Sequence, residues 1–275
     1  MHFRAFTLSC LRAKNMFTVK AKKSLGQHFL KDEGIAQRIA DTLDGFPQFP
    51  VLEVGPGTGM LTQFLLQNGR DLTVVEIDRE SIAYLQQHFP QLDGRILQED
   101  FLKMDFAKHY PGEFCIIGNY PYNISSQIFF KVLENKEQIP CCTGMIQKEV
   151  AERMTAKHGS KTYGILSVLM QAWYDIEYLF TVGEDAFIPP PKVKSAVIRL
   201  TRNDRKQLNC NEKLFKTVVK TSFNQRRKML RNSIKSLLSG NVDLPENPML
   251  TKRPEQLSIE EFVELTNFVE GLESV

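Results

Sequence analysis

The sequence predicts an α/β protein: a doubly wound, mostly parallel sheet followed by a small all-helical C-terminal unit. Three observations carry this expectation. Short apolar runs alternate with helix-period segments from about residue 32 to residue 201, the pattern of strands joined by crossover helices. Gly55-Pro56-Gly57-Thr58-Gly59 lies between one such run and the next helical segment, the setting in which a glycine turn lets backbone approach a ligand closely. Beyond Thr201 strand signals cease and helical periodicity alone continues.

Taken in order, Lys20 to Lys31 reads as a basic loop. A helix is expected over Asp32–Leu43, with Ile35, Ile39 and Leu43 on one face. Val51–Val54 is a short strand, the glycine turn follows, and Leu61 to Leu66 opens a helix. Leu72–Glu76 is the next strand, leading to a helix from Arg79 to about His88. Arg95–Gln98 and Phe114–Gly118 are a third and a fourth strand, and Ser125–Leu133 is helical. Thr143–Ile146 is a candidate fifth strand before a helix over Lys148–Ala156, and two later runs, Ile176–Thr181 and Ser195–Thr201, are strand-like. The polar stretch Arg202–Asn211 reads as a linker, which divides the chain into domains 1–201 and 202–275. In the second, Phe223, Leu230, Ile234 and Leu237 form one apolar stripe, with Lys228, Arg231 and Lys235 on the opposing face of the same helix. Glu260–Val269 is a last amphipathic helix with Ser258 as its N-cap.

Composition narrows the class. The chain has 275 residues, 42% hydrophobic and 24% charged, with no apolar run near the ~18 residues of a membrane span. Its five cysteines include an adjacent pair, Cys141-Cys142, and no Cys-x-x-Cys; its five histidines show no His-x-x-x-His. Reduced thiols, a cytoplasmic location and no metal are therefore expected. Residues 1–19 are expected to be a tail. Residues 1–15 could be a transit peptide, but an upstream start with Met16 as the true beginning is favoured, since the segment lacks a clear amphipathic period.

The net charge of +3 is unevenly spread. Residues 1–31 hold seven Lys/Arg and no acid, and residues 202–235 hold eleven Lys/Arg and two acids, whereas residues 236–275 are acidic. Two basic blocks flanking a mildly acidic body fit a polyanion bound across one face; solvated surface helices are the alternative.

Three strand ends carry ligand-type residues. Gly-x-Gly-x-x here ends in Met60, not in the Gly or Ala of a dinucleotide site, which argues against a nicotinamide-dependent oxidoreductase and for a mononucleotide-like ligand without pyrophosphate. Glu76, 21 residues after Gly55, is placed to accept from ribose hydroxyls, and Asp100 to accept from an adenine amino group. The inferred cofactor is S-adenosyl-L-methionine. At the fourth strand end stands Asn119-Tyr120-Pro121-Tyr122. An exocyclic amino nitrogen is a poor nucleophile because its lone pair is delocalised into the ring. A side-chain amide oxygen and a backbone carbonyl can accept its N–H bonds and leave the lone pair facing an electrophile. Pro121 fixes the turn, and Tyr122 offers a ring on which a base stacks. A strand-end turn with a buried aromatic is the plain alternative.

The sequence resembles the small-subunit ribosomal RNA adenine dimethyltransferase family, from roughly Lys20 to Val269. The likeness rests on seven motifs in order: Gly26-Gln27-His28-Phe29-Leu30, Glu53-Val54-Gly55-Pro56-Gly57, Glu76-Ile77-Asp78, Asp100-Phe101, Asn119-Tyr120-Pro121-Tyr122-Asn123-Ile124-Ser125, Phe187-Ile188-Pro189-Pro190-Pro191-Lys192-Val193 and Phe223-Asn224-Gln225-Arg226-Arg227-Lys228. The resemblance implies a seven-stranded methyltransferase sheet with a small helical domain. It implies that His28 and Leu30 close over the cofactor, that Gly55 lies beneath it, and that Glu76 and Asp100 hold its ribose and adenine. Asn119 would hold the target amino group, and Tyr122 and Phe187 would sandwich the base. The family commonly has leucine where this chain has Tyr120, a difference that bears on pocket shape. The last motif and the helical tail are similar to the bacterial ribosome-assembly branch, more than to the antibiotic-resistance enzymes that modify large-subunit RNA.

The reaction so implied is in-line displacement of a sulfonium methyl by adenine N6, twice on each of two adjacent adenines of a 16S hairpin, with S-adenosyl-L-homocysteine as co-product. Positioning and a preorganised dipole would carry the catalysis. Lys22, Lys23, Arg226, Arg227, Lys228, Arg231 and Lys235 are the expected RNA contacts, the pre-30S particle the expected partner, and a monomer the expected state. A ribosome-assembly factor acting mainly by binding, with methylation secondary, is the reading from a different class.

Overall fold

The computed structural model describes residues 19–238 and 244–273; the expectations for residues 1–18 lie outside these. In chain order the strands are β1 (Phe29–Leu30), β2 (Val51–Val54), β3 (Leu72–Val75), β4 (Ile96–Leu97), β5 (Cys115–Asn119), β6 (Cys141–Gln147), β7 (Tyr174–Val182), β8 (Phe187–Ile188) and β9 (Ser195–Arg202). The helices are α1 (Glu33–Ala40), α2 (Thr62–Gln67), α3 (Arg79–His88), α4 (Ser125–Glu134), α5 (Lys148–Thr155), α6 (Ile165–Gln171), α7 (Glu212–Asn224), α8 (Leu230–Lys235) and α9 (Ile259–Glu273).

Seven strands form one sheet in the order β4-β3-β2-β5-β6-β9-β7. The first five run parallel, and β9 is antiparallel to both its neighbours. β2 and β5 are neighbours, yet the chain leaves β2 toward β3 and β4 and returns to β5. The strand order therefore switches between β2 and β5, and the crevice above the carboxyl ends of these two strands is where such sheets hold ligands.

Local chemistry sets the element ends. Asp32 Oδ1 accepts from the Ile35 N–H at 2.9 Å and caps α1. The last turn of the expected 32–43 helix tightens to a 3-10 turn over Asp41–Leu43, with Ile39 and Leu43 both buried. Ser258 and Glu261 form a capping box at the start of α9: Ser258 Oγ accepts from the Glu261 N–H at 3.1 Å, and Glu261 Oε2 accepts from the Ser258 N–H at 2.9 Å.

Three features depart from the expected element list. α6 has no counterpart in it: Ile165-Leu166-Ser167-Val168-Leu169-Met170 is apolar on nearly every side, and residues 166–170 are all buried, so no amphipathic period marks it. β1 and β8 pair antiparallel as a two-stranded ribbon, Phe29 opposite Ile188 and Leu30 opposite Phe187; two residues each are too few for a strand pattern. The helix expected to carry Phe223, Leu230, Ile234 and Leu237 on one face is two helices. α7 ends at Asn224, the polar run Gln225–Lys228 turns, and the Leu230 N–H donates to the Lys252 carbonyl as α8 begins. Lys228 therefore sits in the turn, off the face shared by Arg231 and Lys235.

One face of the sheet and the C-terminal helices share a core, in which Ile116, Ile128 and Leu169 join Val218, Leu230 and Phe262. The ring of Phe223 lies 6.1 Å from that of Tyr163 and 5.9 Å from that of Phe262. The opposite face of the sheet packs against α1 and α2 through Ile39, Leu65, Val74 and Ile117. Among the described residues no helix is long and apolar enough to cross a membrane.

Candidate active site

A cavity of ≈ 270 Å³ opens at the switch between β2 and β5. His28, Leu30, Gly55, Glu76, Asp100 and Asn119, the six expected cofactor residues, all line it, and so do Tyr120, Pro121 and Tyr122. Its floor is the glycine turn. Gly55 holds φ +67, and a Cβ built there meets no protein atom within 4 Å. The space above this backbone belongs to the cavity, and a side chain would enter it. At Gly57 a Cβ would lie 2.8 Å from the Phe29 ring, so glycine also admits the segment that passes overhead.

Glu76 ends β3 and is buried. Its Oε1 accepts from the N–H groups of Ile77 at 2.8 Å and Asp78 at 2.9 Å, and its Oε2 accepts from the Gly57 N–H at 3.2 Å. Burial raises its pKa, against the lowering effect of these three bonds. A carboxylate offers roughly four acceptor sites. Three backbone N–H groups converge on Glu76, and it lines the cavity with acceptor capacity to spare. Asp100 Oδ1 accepts from the Leu102 N–H at 3.0 Å and caps a short 3-10 turn at the cavity edge.

Glu53 is a site residue to which the sequence pattern assigns no role. It sits inside β2 and lines the cavity, 1% exposed, and Thr62 Oγ1 donates to its Oε2 at 2.7 Å. Burial pushes its carboxyl up from 4.5 to about 8, against the Thr62 hydrogen bond, and nearby Glu76 adds to the rise. The available signal is a carboxylate inside an otherwise apolar strand, directly before the glycine turn. Asp78 likewise has a role that the sequence does not assign. It accepts from the Glu80 N–H as N-cap of α3, and it takes the Lys22 ammonium at 2.5 Å. Burial alone would raise Asp78, but hydrogen bonds from Lys22, Gln27, Glu80 and Ser81 outweigh it and lower the carboxyl.

Asn119 closes β5. Its Nδ2 donates to the His28 carbonyl at 2.9 Å, which uses one of the amide's two N–H donors and fixes its orientation. Tyr122 stands beside it, its hydroxyl 2.5 Å from Ser195 Oγ, a fully buried hydroxyl at the start of β9. Tyr120 points the other way. Its ring is 1% exposed and its hydroxyl donates to the Thr143 carbonyl at 2.7 Å. Cβ atoms at Gly118 and Gly144 would come within 2.9 and 2.8 Å of that ring. Two glycines thus make room for a ring where leucine is common, and the side chain of Tyr120 serves packing.

Residues 18–270 match the family described as Ribosomal RNA adenine dimethylase. The chain belongs to this family. A ribosomal RNA small subunit methyltransferase A of Parabacteroides distasonis is 72% identical over 251 residues, 91% of this chain and 94% of its own. One of Cytophaga hutchinsonii is 59% identical over 258 residues, 93% of this chain and 100% of its own. Among solved structures, a dimethyladenosine transferase from Plasmodium falciparum matches with a TM-score of 0.72 at 25% identity, covering 86% of this chain and 96% of that one. The 23S rRNA methyltransferase ErmE matches with a TM-score of 0.62 at 26% identity, covering 88% and 99%. The expected family, fold and class of enzyme, an rRNA methyltransferase, all stand.

Three of the expected site residues have other partners in this adenine dimethylase. Phe187 does not line the cavity. Its ring is 1% exposed and packs with Leu30, Ile117 and Val182 in the core on the α1 side of the sheet, because pairing with β1 holds Phe187 opposite Leu30. The ring that faces Tyr122 is His28, at 5.4 Å between centroids and 26° between planes. Lys22 pairs with Asp78 and, at 3.0 Å, with Glu80, which ties the N-terminal segment to α3. Arg226 donates to the Lys161 carbonyl at 2.5 Å and lies 3.8 Å from Glu255, bracing the turn between α7 and α8. Lys23, Arg227, Lys228, Arg231 and Lys235 are exposed.

Proposed function

We propose that the protein transfers methyl groups from S-adenosyl-L-methionine to N6 of two adjacent adenines in a hairpin of 16S ribosomal RNA, giving N6,N6-dimethyladenosine on an immature small subunit in the cytoplasm, as a monomer. The observation that carries this is Asn119: it lines the cavity beside Tyr122 with its amide held through Nδ2 on the His28 carbonyl, which leaves Oδ1 available as an acceptor.

The residues present fit the cofactor. The open space over Gly55 suits a ligand lying against backbone, and the Glu76 carboxylate suits the ribose hydroxyls. Asp100 stands at the edge that an adenine amino group would reach. S-adenosyl-L-methionine supplies a methyl group already activated by its sulfonium charge. Asn119 Oδ1 accepts one N–H of the target amino group, and this orients the nitrogen lone pair. As that nitrogen gains positive charge, the same amide dipole stabilises it without reorganising. Tyr122, held by Ser195, supplies the stacking face that offsets the few kcal/mol of unstacking the base. The pocket must also admit the monomethylated base, since two transfers occur on one nitrogen. Residues 202–275, with Arg227, Lys228, Arg231 and Lys235 exposed, act as the helical RNA-binding unit together with Lys23.

The test is transfer of radiolabelled methyl to unmodified 16S RNA or immature subunits, followed by nucleoside analysis. Label recovered as N6,N6-dimethyladenosine at two adjacent positions supports the reading. Stoichiometric particle binding without label would favour the assembly-factor reading instead.

A further inference from the structure

The carboxylate offered to an adenine amino group stands on a loop at the edge of the sheet. Asp100 follows β4, a two-residue strand that pairs with β3 alone. Its Oδ1 accepts from the Leu102 N–H at 3.0 Å as N-cap of the 3-10 turn Phe101–Lys103. The Leu102 carbonyl accepts in turn from Lys131 of α4 at 3.2 Å, and the same ammonium donates to the Met104 carbonyl at 2.6 Å. It also lies 4.8 Å from the centre of the Phe106 ring, within cation–π range. One cation thus holds three residues of a single loop, and Leu102 is fixed at both ends, by Asp100 and by Lys131. Lys131 is half-buried, and burial lowers its pKa against the charges of Glu134, Asp100 and Asp105. A lysine that only solubilised α4 would keep its ammonium in water.

We propose that Lys131 is a positioning residue for recognition of the cofactor's adenine: it clamps the loop that carries Asp100, so that this carboxylate meets the amino group in one fixed place. The inference rests on the proposed S-adenosyl-L-methionine reading of the cavity. Lys131 is not among the described residues that line the cavity, so it acts through Leu102. Its own element is a firm anchor, since Ile128, Phe129 and Val132 fix α4 in the core. Without the clamp the Leu102 and Met104 carbonyls turn to water, and the short turn moves together with its cap. A ligand that needs Asp100 must then order the loop as it binds, and its affinity falls by that cost. Contacts at Glu76, which ends β3 and is held by Gly57, Ile77 and Asp78, do not depend on the clamp.

The experiment measures by calorimetry, on the full chain, the dissociation constants of two ligands: S-adenosyl-L-homocysteine and its counterpart whose purine lacks the 6-amino group. The native protein should prefer the adenine ligand roughly tenfold or more, the worth of a hydrogen bond to a charged group. Lys131→Met keeps the stem and removes the donors. It should weaken the adenine ligand about three- to tenfold and leave the other within about twofold, so that the preference nearly disappears. Lys131→Arg, which can still donate to both carbonyls, should keep most of the preference. Should Lys131→Met not fold, the ratio is read on Lys131→Gln, which keeps a single donor group and should give an intermediate value. An unchanged ratio would overturn the proposal. Equal weakening of both ligands would overturn it as well, since it would make Lys131 a residue that only stabilises the fold. If the native protein binds neither ligand, the cofactor reading fails and the clamp fails with it. That result is distinct from a protein that selects the adenine ligand and whose Lys131 variants select it equally well.

Discussion

Around the carboxylates Glu53 and Glu76, the part of the cavity proposed for the cofactor, the hydrogen bonds span at most 19 residues, whereas around Asn119 and Tyr122, the part proposed for the base, they join segments far apart. On the first side, Glu76 bonds to Ile77, Asp78 and Gly57, and Glu53 to Thr62, nine residues on. On the second, Asn119 bonds across 91 residues to His28, Tyr122 across 73 to Ser195, and His28 across 161 to Pro189. The cofactor half is an arrangement of strand ends that the sheet delivers as a unit. The base half exists only once β1, β5, β8 and β9 have all come together. The first should respond to mutation through binding, and the second through turnover.

The largest expected effect tests the base half. Asn119→Ala should lower single-turnover methylation by about 10²–10³-fold or more, the usual cost of removing a preorganised partner at the reacting atom. Affinity for S-adenosyl-L-methionine and RNA should stay within a few-fold. Near-normal turnover would reduce Asn119 to a turn residue and erase the distinction between the halves.

Glu76→Ala addresses the cofactor half. Charge-assisted hydrogen bonds to the ligand are at stake, about 1.5–3 kcal/mol in all, or roughly a ten- to hundredfold weaker dissociation constant. The same change strands the N–H groups of Gly57, Ile77 and Asp78, so calorimetry should be paired with a thermal melt. Unchanged affinity in a folded variant would remove Glu76 from the site.

Glu53 separates the halves by pH. Its carboxyl is held near 8 in the fold against 4.5 ordinarily, so between these values the folded chain keeps a proton that the unfolded chain releases. The stability this confers is complete below about pH 4.5 and is lost as pH rises through 8, with a slope of up to ~1.4 kcal/mol per pH unit. Glu53→Gln keeps a neutral acceptor for Thr62 and should flatten this part of the fall in melting temperature between pH 5 and 8. An identical pH profile in the variant would mean that Glu53 is ionised in the fold.

The smallest effect lies outside both halves. Changing Lys228, Arg231 and Lys235 together to Ala should leave cofactor affinity alone and reduce the salt dependence of RNA binding by ~0.7–0.9 log units for each phosphate that is no longer neutralised. Since Lys228 sits in the turn and the other two on α8, the three cover a broader patch than one helix face would. An unchanged salt slope in filter binding would mark them as solubilising charges and shift attention to Lys23 and Arg227 as the phosphate ligands.

The amino-acid sequence by itself determined the strand–helix alternation, the glycine turn, the carboxylates at successive strand ends and the Asn119–Tyr122 tetrapeptide. These depend on periodicity and on chemistry within a few residues, as with α3, whose bounds from Arg79 to His88 follow from its apolar period and the Asp78 cap. Tertiary structure alone decided the rest. α6 is buried all round and so carries no period. The single helix expected after Phe223 breaks because Leu230 finds a backbone partner at Lys252. Phe187 is buried opposite its pairing partner Leu30, and the ring beside Tyr122 is that of His28. Only the fold brings Asp78 and Glu80 to Lys22. The proton on Glu53 comes from desolvation by every element packed around β2 and has no local signature, because burial is a sum over neighbours that only the folded chain brings together.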